Sequence, residues 1–190
     1  MSGGAPILLA ARDGEHLFYD GGLLTFKATG AQTDGALLLF EVRMPQGKAT
    51  PLHVHPDADE TFYVLDGEVR VHIAETEDRL VSNGGVVGVP RGTPHAFAVI
   101  SQAAHMLVIF TPASAISETF FRLAGEPAAD PTVPPPPPDM ERFGAAVAGS
   151  GLQVLGPPPF AALFAAPAGD PATPSASPAT PTTPTTADPR

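Results

Sequence analysis

Short apolar runs separated by turn signals fill the stretch from Leu37 to Phe110, and no long helical pattern interrupts them. Leu37 to Met44 ends in Pro45-Gln46-Gly47, and Glu60 to Leu65 is closed by Asp66-Gly67, a hairpin signal. Glu68 to Ile73 alternates, with Val69, Val71 and Ile73 toward a core and Glu68, Arg70 and His72 toward water. Asn83-Gly84-Gly85, Pro90 to Pro94 and the runs Val86–Val89, His95–Ile100 and His105–Phe110 continue the series. Strands at ~8–12-residue spacing, without helices between them, restrict the fold to an all-β sandwich or barrel.

The flanks read differently. Ile7 to Ala11 and Gly22 to Ala28 are expected as edge strands. Ser114 to Ala124 has helical spacing in Ile116, Phe120, Phe121 and Leu123, with Ser114 or Ser117 as its cap. Pro134 to Pro138 make the stretch from Glu126 to Asp139 an extended connector. Met140 to Ala148 is a short helix, and Leu152 to Pro159 leaves it extended. From about Pro167 the chain is almost all Ala, Pro, Thr and Ser, which cannot bury enough apolar surface to offset chain entropy. The expected division is an N-terminal arm or edge strand over 1–14 and a barrel over 15–112. A helical extension with the Pro-rich connector follows over 113–160, and a disordered tail over 161–190.

Acidic residues number 20 against 10 basic ones. A surface of that sign repels phosphate backbones and anionic headgroups, so nucleic acid and membrane surfaces are not expected partners. The absence of cysteine rules out thiolate ligands, cysteine nucleophiles and disulfides. No signal-peptide pattern opens the chain and no run has the length of a membrane span, so a cytoplasmic protein is expected.

His53-Val54-His55 places two imidazoles on one strand face, since side chains two apart point the same way. Glu60 follows after a short loop and opens the next strand, which gives a 2-His-1-carboxylate set. His95 opens a later strand and adds a fourth nitrogen. Each residue taken alone has a plainer reading: a surface or core His-x-His pair, a solvated strand end, a loop histidine. His16, His72 and His105 carry no such pattern, and the direction of His105 is open.

The glycine frame around these residues is more specific. Gly47-x5-His53-x-His55-x4-Glu60-x6-Gly67 resembles the first cupin motif, and Gly84-x5-Pro90-x-Gly92-x2-His95 resembles the second. The Asn that usually ends the second motif is replaced by Val99, which removes a hydrogen-bonding side chain and no ligand. The resemblance implies a single cupin jelly-roll (double-stranded β-helix) barrel with short C-terminal helices. It also implies one divalent transition metal on His53, His55, Glu60 and His95, with Fe, Mn, Ni or Co, and also Zn or Cu, compatible with such ligands. Glu60-Thr61-Phe62-Tyr63-Val64-Leu65-Asp66-Gly67 and Val89-Pro90-Arg91-Gly92-Thr93-Pro94-His95-Ala96-Phe97 look like small one-barrel relatives of the quercetin 2,3-dioxygenases.

That likeness implies a dioxygenase taking O2 and a flavonol-like or other enolic small molecule, with Glu60 as ligand and base. With Glu60 and His95 inward, alternation puts Phe62, Val64, Phe97 and Val99 on the pocket side. Either Met106, Val108 and Phe110 or Leu107 and Ile109 join them. Phe120, Phe121 or Met140 is a candidate lid. A non-catalytic small-molecule or metal-binding module and a cupin isomerase are the alternatives. A homodimer through Ile7–Ala11 and Leu37–Phe40 is the expected assembly.

Overall fold

The computed structural model describes residues 5–164. Two antiparallel sheets face each other, as the strand spacing requires of a sandwich or barrel and consistent with the cupin jelly-roll that the motif resemblance implies. The larger sheet has the order β11-β1-β2-β3-β10-β5-β8. Its strands are β1 Glu15–Tyr19, β2 Gly22–Ala28, β3 Leu38–Pro45, β5 Asp59–Asp66, β8 Val86–Val89, β10 Ala103–Thr111 and the short β11 Glu126–Pro127. The smaller sheet has the order β12-β4-β9-β6-β7, from β4 Leu52–Val54, β6 Glu68–Ile73, β7 Arg79–Ser82, β9 His95–Val99 and β12 Gln153–Gly156. Two helices, α1 Ala115–Ala124 and α2 Met140–Ser150, pack on one another outside the strands, and α3 Ala161–Phe164 ends the described chain.

Alternation explains the core. In β3, Leu38, Phe40, Val42 and Met44 are buried while the residues between them are not. In β10 the inward set is Ala104, Met106, Val108 and Phe110, which leaves Leu107 and Ile109 on the outer side. The open choice along this strand is therefore decided in favour of Met106, Val108 and Phe110. His105 points outward too and bonds Glu41 at 3.0 Å. Val99, where the motif's Asn is missing, is fully buried beside Val69 in the neighbouring strand.

Several expectations are corrected. Ile7 to Ala11 forms no strand: Lys27 Nζ takes the carbonyls of Ala11 and Asp13, and the Asp13 carboxylate accepts from Ala10 N. Those groups are therefore not free to pair with a neighbouring strand. Gly22–Ala28 is an inner strand, covered by β1, because Asp20-Gly21 closes a hairpin that the sequence reading passed over. Asp20 (φ 48°) and Gly21 (φ 74°) both adopt the left-handed region, as a tight primed turn requires. Leu37 to Phe40 cannot offer a free strand edge to a second copy, since β3 is paired on both sides by β2 and β10.

Asp66-Gly67 is not a hairpin either. β5 and β6 lie in different sheets, so the glycine turns a corner between layers. A Cβ at Gly67 would lie 2.2 Å from the Ala103 carbonyl oxygen, which is why the corner needs glycine. The tail was expected from residue 161, yet Ala161–Phe164 forms a helical turn behind Phe160, which is buried against Ala96 and Ala98. The rest of the expected tail, 165–190, lies outside the described residues. No helix among the described residues is long and apolar enough to cross a membrane.

Candidate metal centre

The two sheets meet at a buried cluster. His53, in β4, pairs directly with His95 of β9 in the smaller sheet. Glu60, in β5, sits between Phe110 and Val89 in the larger sheet. His55 follows the end of β4, where its carbonyl accepts from Gly92 N at 2.8 Å. The second motif's loop thereby clamps the first motif's ligand loop. All four side chains are buried, Glu60 to 5% exposure and His95 to 1%. Their nitrogen and carboxylate atoms lie within 4.8 Å of one another.

The Nε2 atoms of His53 and His55 are 3.1 Å apart. Glu60 Oε2 is 3.2 Å from His55 Nε2 and 2.8 Å from His95 Nε2. Ligand atoms held ~2.1 Å from a shared ion at right angles sit ~3.0 Å apart, so these spacings are those of a coordination polyhedron's edges.

The other ring nitrogens decide the tautomers. His53 Nδ1 is 2.8 Å from the Pro51 carbonyl and His95 Nδ1 is 2.9 Å from the Thr93 carbonyl. A carbonyl can only accept, so both Nδ1 atoms carry hydrogen, and in the neutral imidazoles the inward Nε2 atoms are bare. Bare lone pairs aimed at a carboxylate and at one another repel unless a cation stands between them. The donor set therefore fits a divalent transition metal, with outer hydrogen bonds fixing the rings.

The electrostatics of His53 agree with that fit. Burial, with His95 nearby, pushes the His53 imidazole down to about 4, so its nitrogen stays unprotonated near neutrality. Burial alone would raise the Glu60 carboxyl, but the positive charge that His55 and His95 carry when protonated, in the absence of a cation, outweighs it and holds the group well below the usual carboxylate range. Burial would lower His95, yet the Glu60 carboxylate beside its Nε2 raises it, so a proton and a cation compete for this nitrogen.

A cavity of about 50 Å3 opens beside the cluster, walled by Phe40, Val42, Phe62, Phe97, Val108 and Phe120 together with other apolar side chains. Of the residues expected on this wall, Phe62, Phe97 and Val108 stand there. Val64, Val99 and Met106 lie in the apolar core. Val64 and Val99 are each four residues along a strand from a cluster residue, ~13 Å away, and Met106 pairs beside Val64, so these side chains fill the barrel. Phe110 packs its ring 4.8 Å from that of His55 and supports that side chain.

The walls that the sequence reading missed come from β1, β3, α2 and the turn after α2: Tyr19, Phe40, Val42, Met44, Phe143 and Leu152. Period-two burial along β3 was the available signal for three of them. Phe120 and Phe121 line the cavity. Met140 instead stands 67% exposed in an outer vestibule of about 570 Å3. Tyr19, Thr50, Pro51 and Phe143 border both spaces and form the neck between them. Burial pushes the Tyr19 phenol above its ordinary range, with the charges of Asp20 and Glu60 adding to the effect, so it remains a neutral donor.

Comparison with known proteins agrees with this architecture. A family model described as the cupin domain matches residues 40–110. The quercetin 2,3-dioxygenase of Bacillus subtilis is 30% identical over 102 residues, which cover 54% of this chain and 30% of that enzyme. The chain thus spans under a third of that relative's length. An uncharacterized protein of Streptomyces coelicolor is 35% identical over 94 residues, 45% of this chain and 89% of that one. Among solved structures, an RmlC-like cupin from Shewanella frigidimarina superposes with a TM-score of 0.50 at 16% identity, covering 58% of this chain and 95% of that one. That last likeness is one of fold.

Proposed function

The chain belongs to the cupin superfamily, and from that premise we propose that it binds one divalent transition metal through His53, His55, Glu60 and His95 and acts as a dioxygenase on a flavonol-like or other enolic small molecule. Fe, Mn, Ni and Co suit this ligand set, and Zn and Cu are compatible with it. The observation that carries the metal reading is the approach of three imidazole nitrogens and one carboxylate oxygen to within 4.8 Å of one another. The dioxygenase reading is supported by the likeness to the Bacillus subtilis enzyme over about half of this chain.

A divalent ion held there supplies Lewis acidity, which favours the deprotonated form of a substrate hydroxyl and orients it. Glu60 is the only carboxylate of the cluster and takes that hydroxyl proton on an oxygen. Because its neighbours hold it strongly acidic, the transfer requires the carboxylate to turn away from the positive centre as it is protonated. Phe40, Phe62, Phe97 and Phe120 exclude water and stack on a planar ligand, while the neutral Tyr19 hydroxyl offers one donor at the neck. The inner cavity accepts only the chelating edge of a flavonol, and its remaining rings would occupy the vestibule beyond Phe143.

Protein purified without added metal is analysed for its elements, then loaded with Fe, Mn, Co or Ni and mixed with quercetin under air. Ring cleavage with CO release is expected with at least one metal. No cleavage with any of the four rejects the dioxygenase reading. The small inner cavity favours a second reading, a module that binds a small acid or enol without turnover; calorimetric binding with no reaction across an enol panel selects it. We also propose a homodimer that buries Ile7, Leu8 and Leu9, since Leu8 is 90% exposed. Light scattering on the full chain gives the mass that decides it.

A further inference from the structure

His55 differs from the other two histidines of the cluster in what holds its outer nitrogen. His53 and His95 each bond a carbonyl two residues back in their own strand or loop. His55 Nδ1 instead lies 2.9 Å from Ser117 Oγ, on a helix 62 residues further along the chain. Ser117 Oγ is 2.7 Å from Ser114 Oγ, and Ser114 Oγ is 3.0 Å from both carboxylate oxygens of Asp57.

We propose that Asp57, Ser114 and Ser117 form a one-way hydrogen-bond relay that sets His55 in its Nδ1–H tautomer and thereby turns its Nε2 lone pair toward the metal centre. The inference rests on the metal reading above. The direction follows from counting hydrogens. The ionised Asp57 carboxylate can only accept, so the single Ser114 hydroxyl hydrogen goes to it. Ser114 Oγ already accepts from Ser117 N at 2.9 Å, as the cap of α1, and has one lone pair left. Ser117 therefore donates its hydroxyl hydrogen to Ser114. Its own oxygen is then free to accept, and the remaining partner, His55 Nδ1, has to donate. Every member of the chain is satisfied in this direction. In the reverse direction, Ser114 would face the carboxylate with lone pairs at 3.0 Å.

Both serines are buried, to 1% and 0% exposure, so no bulk water can substitute for a missing partner. Ile116 N also approaches Asp57 Oδ2, at 3.4 Å. The first turn of α1 is thus fastened to the loop between His55 and Glu60. Its seating on the barrel and the aim of one cluster imidazole become a single structural event. Asp57, Ser114 and Ser117 are positioning residues, since they touch the cluster only through His55.

The test uses full-length Ser117→Ala, Asp57→Ala and the double variant. Co(II) and Zn(II) affinities are measured by chelator competition, and ring tautomers by long-range 1H–15N NMR of histidine-labelled, metal-free protein. Loss of an outer partner of this kind weakens metal binding ~10–100-fold. Ser117→Ala should fall in that range, Asp57→Ala should fall in the same direction, and the double variant should be no weaker than Ser117→Ala, because one relay is being cut twice. Wild-type His55 should show hydrogen on Nδ1, and Ser117→Ala should show a mixture of tautomers while His53 keeps its own. Unchanged affinities, additive losses, or wild-type His55 with hydrogen on Nε2 would each overturn the relay. If wild-type protein binds neither metal, the metal reading fails, and the NMR result still decides the relay.

Discussion

Three glycines of the two motifs, Gly47, Gly67 and Gly84, share nearly the same backbone conformation, with φ of 81°, 87° and 81°. Replacing each with alanine separates the cost of conformation from the cost of contact. An L-residue in the left-handed region costs about 1–2 kcal/mol. An added Cβ meets nothing within 4 Å at Gly47 or Gly84, so that strain is the whole expected loss there. At Gly67 the same carbon would sit 2.2 Å from the Ala103 oxygen, 2.7 Å from Ser101 Oγ and 2.9 Å from Ala104 Cα. Two of these atoms are backbone of the strand paired to β5, so the corner itself has to move. Overpacking of that kind adds roughly 1–3 kcal/mol. Urea unfolding of chelator-treated protein measures the difference without any contribution from bound metal. With a slope of about 2 kcal/mol per molar, a gap of about 2 kcal/mol places the Gly67→Ala midpoint ~1 M below the other two. Midpoints that coincide for all three variants would refute the argument that the corner glycine is fixed by contact.

Glu60→Gln keeps the shape of the side chain and removes its charge; metal affinity by chelator competition should fall by at least about 100-fold, beyond the range of an outer partner. Metal removal should lower the thermal midpoint: a metal at about 100 times its Kd contributes ~2.7 kcal/mol, or ~5–10 °C for a domain of this size, and an unchanged melting curve in chelator contradicts a resident ion. Phe143→Ala widens the neck between cavity and vestibule. It should cost roughly 1–3 kcal/mol in unfolding experiments, because Phe143 is only half-buried against Phe120. Steady-state kinetics with enols of graded width should then show kcat/KM gained only for the wider ones, and equal gains across the series contradict its place at the neck.

His53, His55, Glu60 and His95 were legible as one group because strand side chains alternate and because the glycines around them recur at fixed intervals. Those are local rules, and local rules also placed the inward rows of β6 and β9 and the cap of α1. They failed wherever a decision depended on partners distant in sequence. Asp66-Gly67 has the composition of a hairpin, yet it turns a corner, because β5 finds its partners in β8 and β10. Val64, Val99 and Met106 point inward as alternation requires, but whether an inward side chain meets a cavity or solid core depends on its height in the barrel. The Ser117 contact with His55 spans 62 residues and has no periodic signature. Sequence alone determined which atoms can ligate and which faces turn inward, since both follow from covalent chemistry and backbone geometry. The tertiary structure decided which of those faces meet, where space is left between them, and which hydroxyl orients which imidazole, because packing sets these through contacts that no short window of sequence contains.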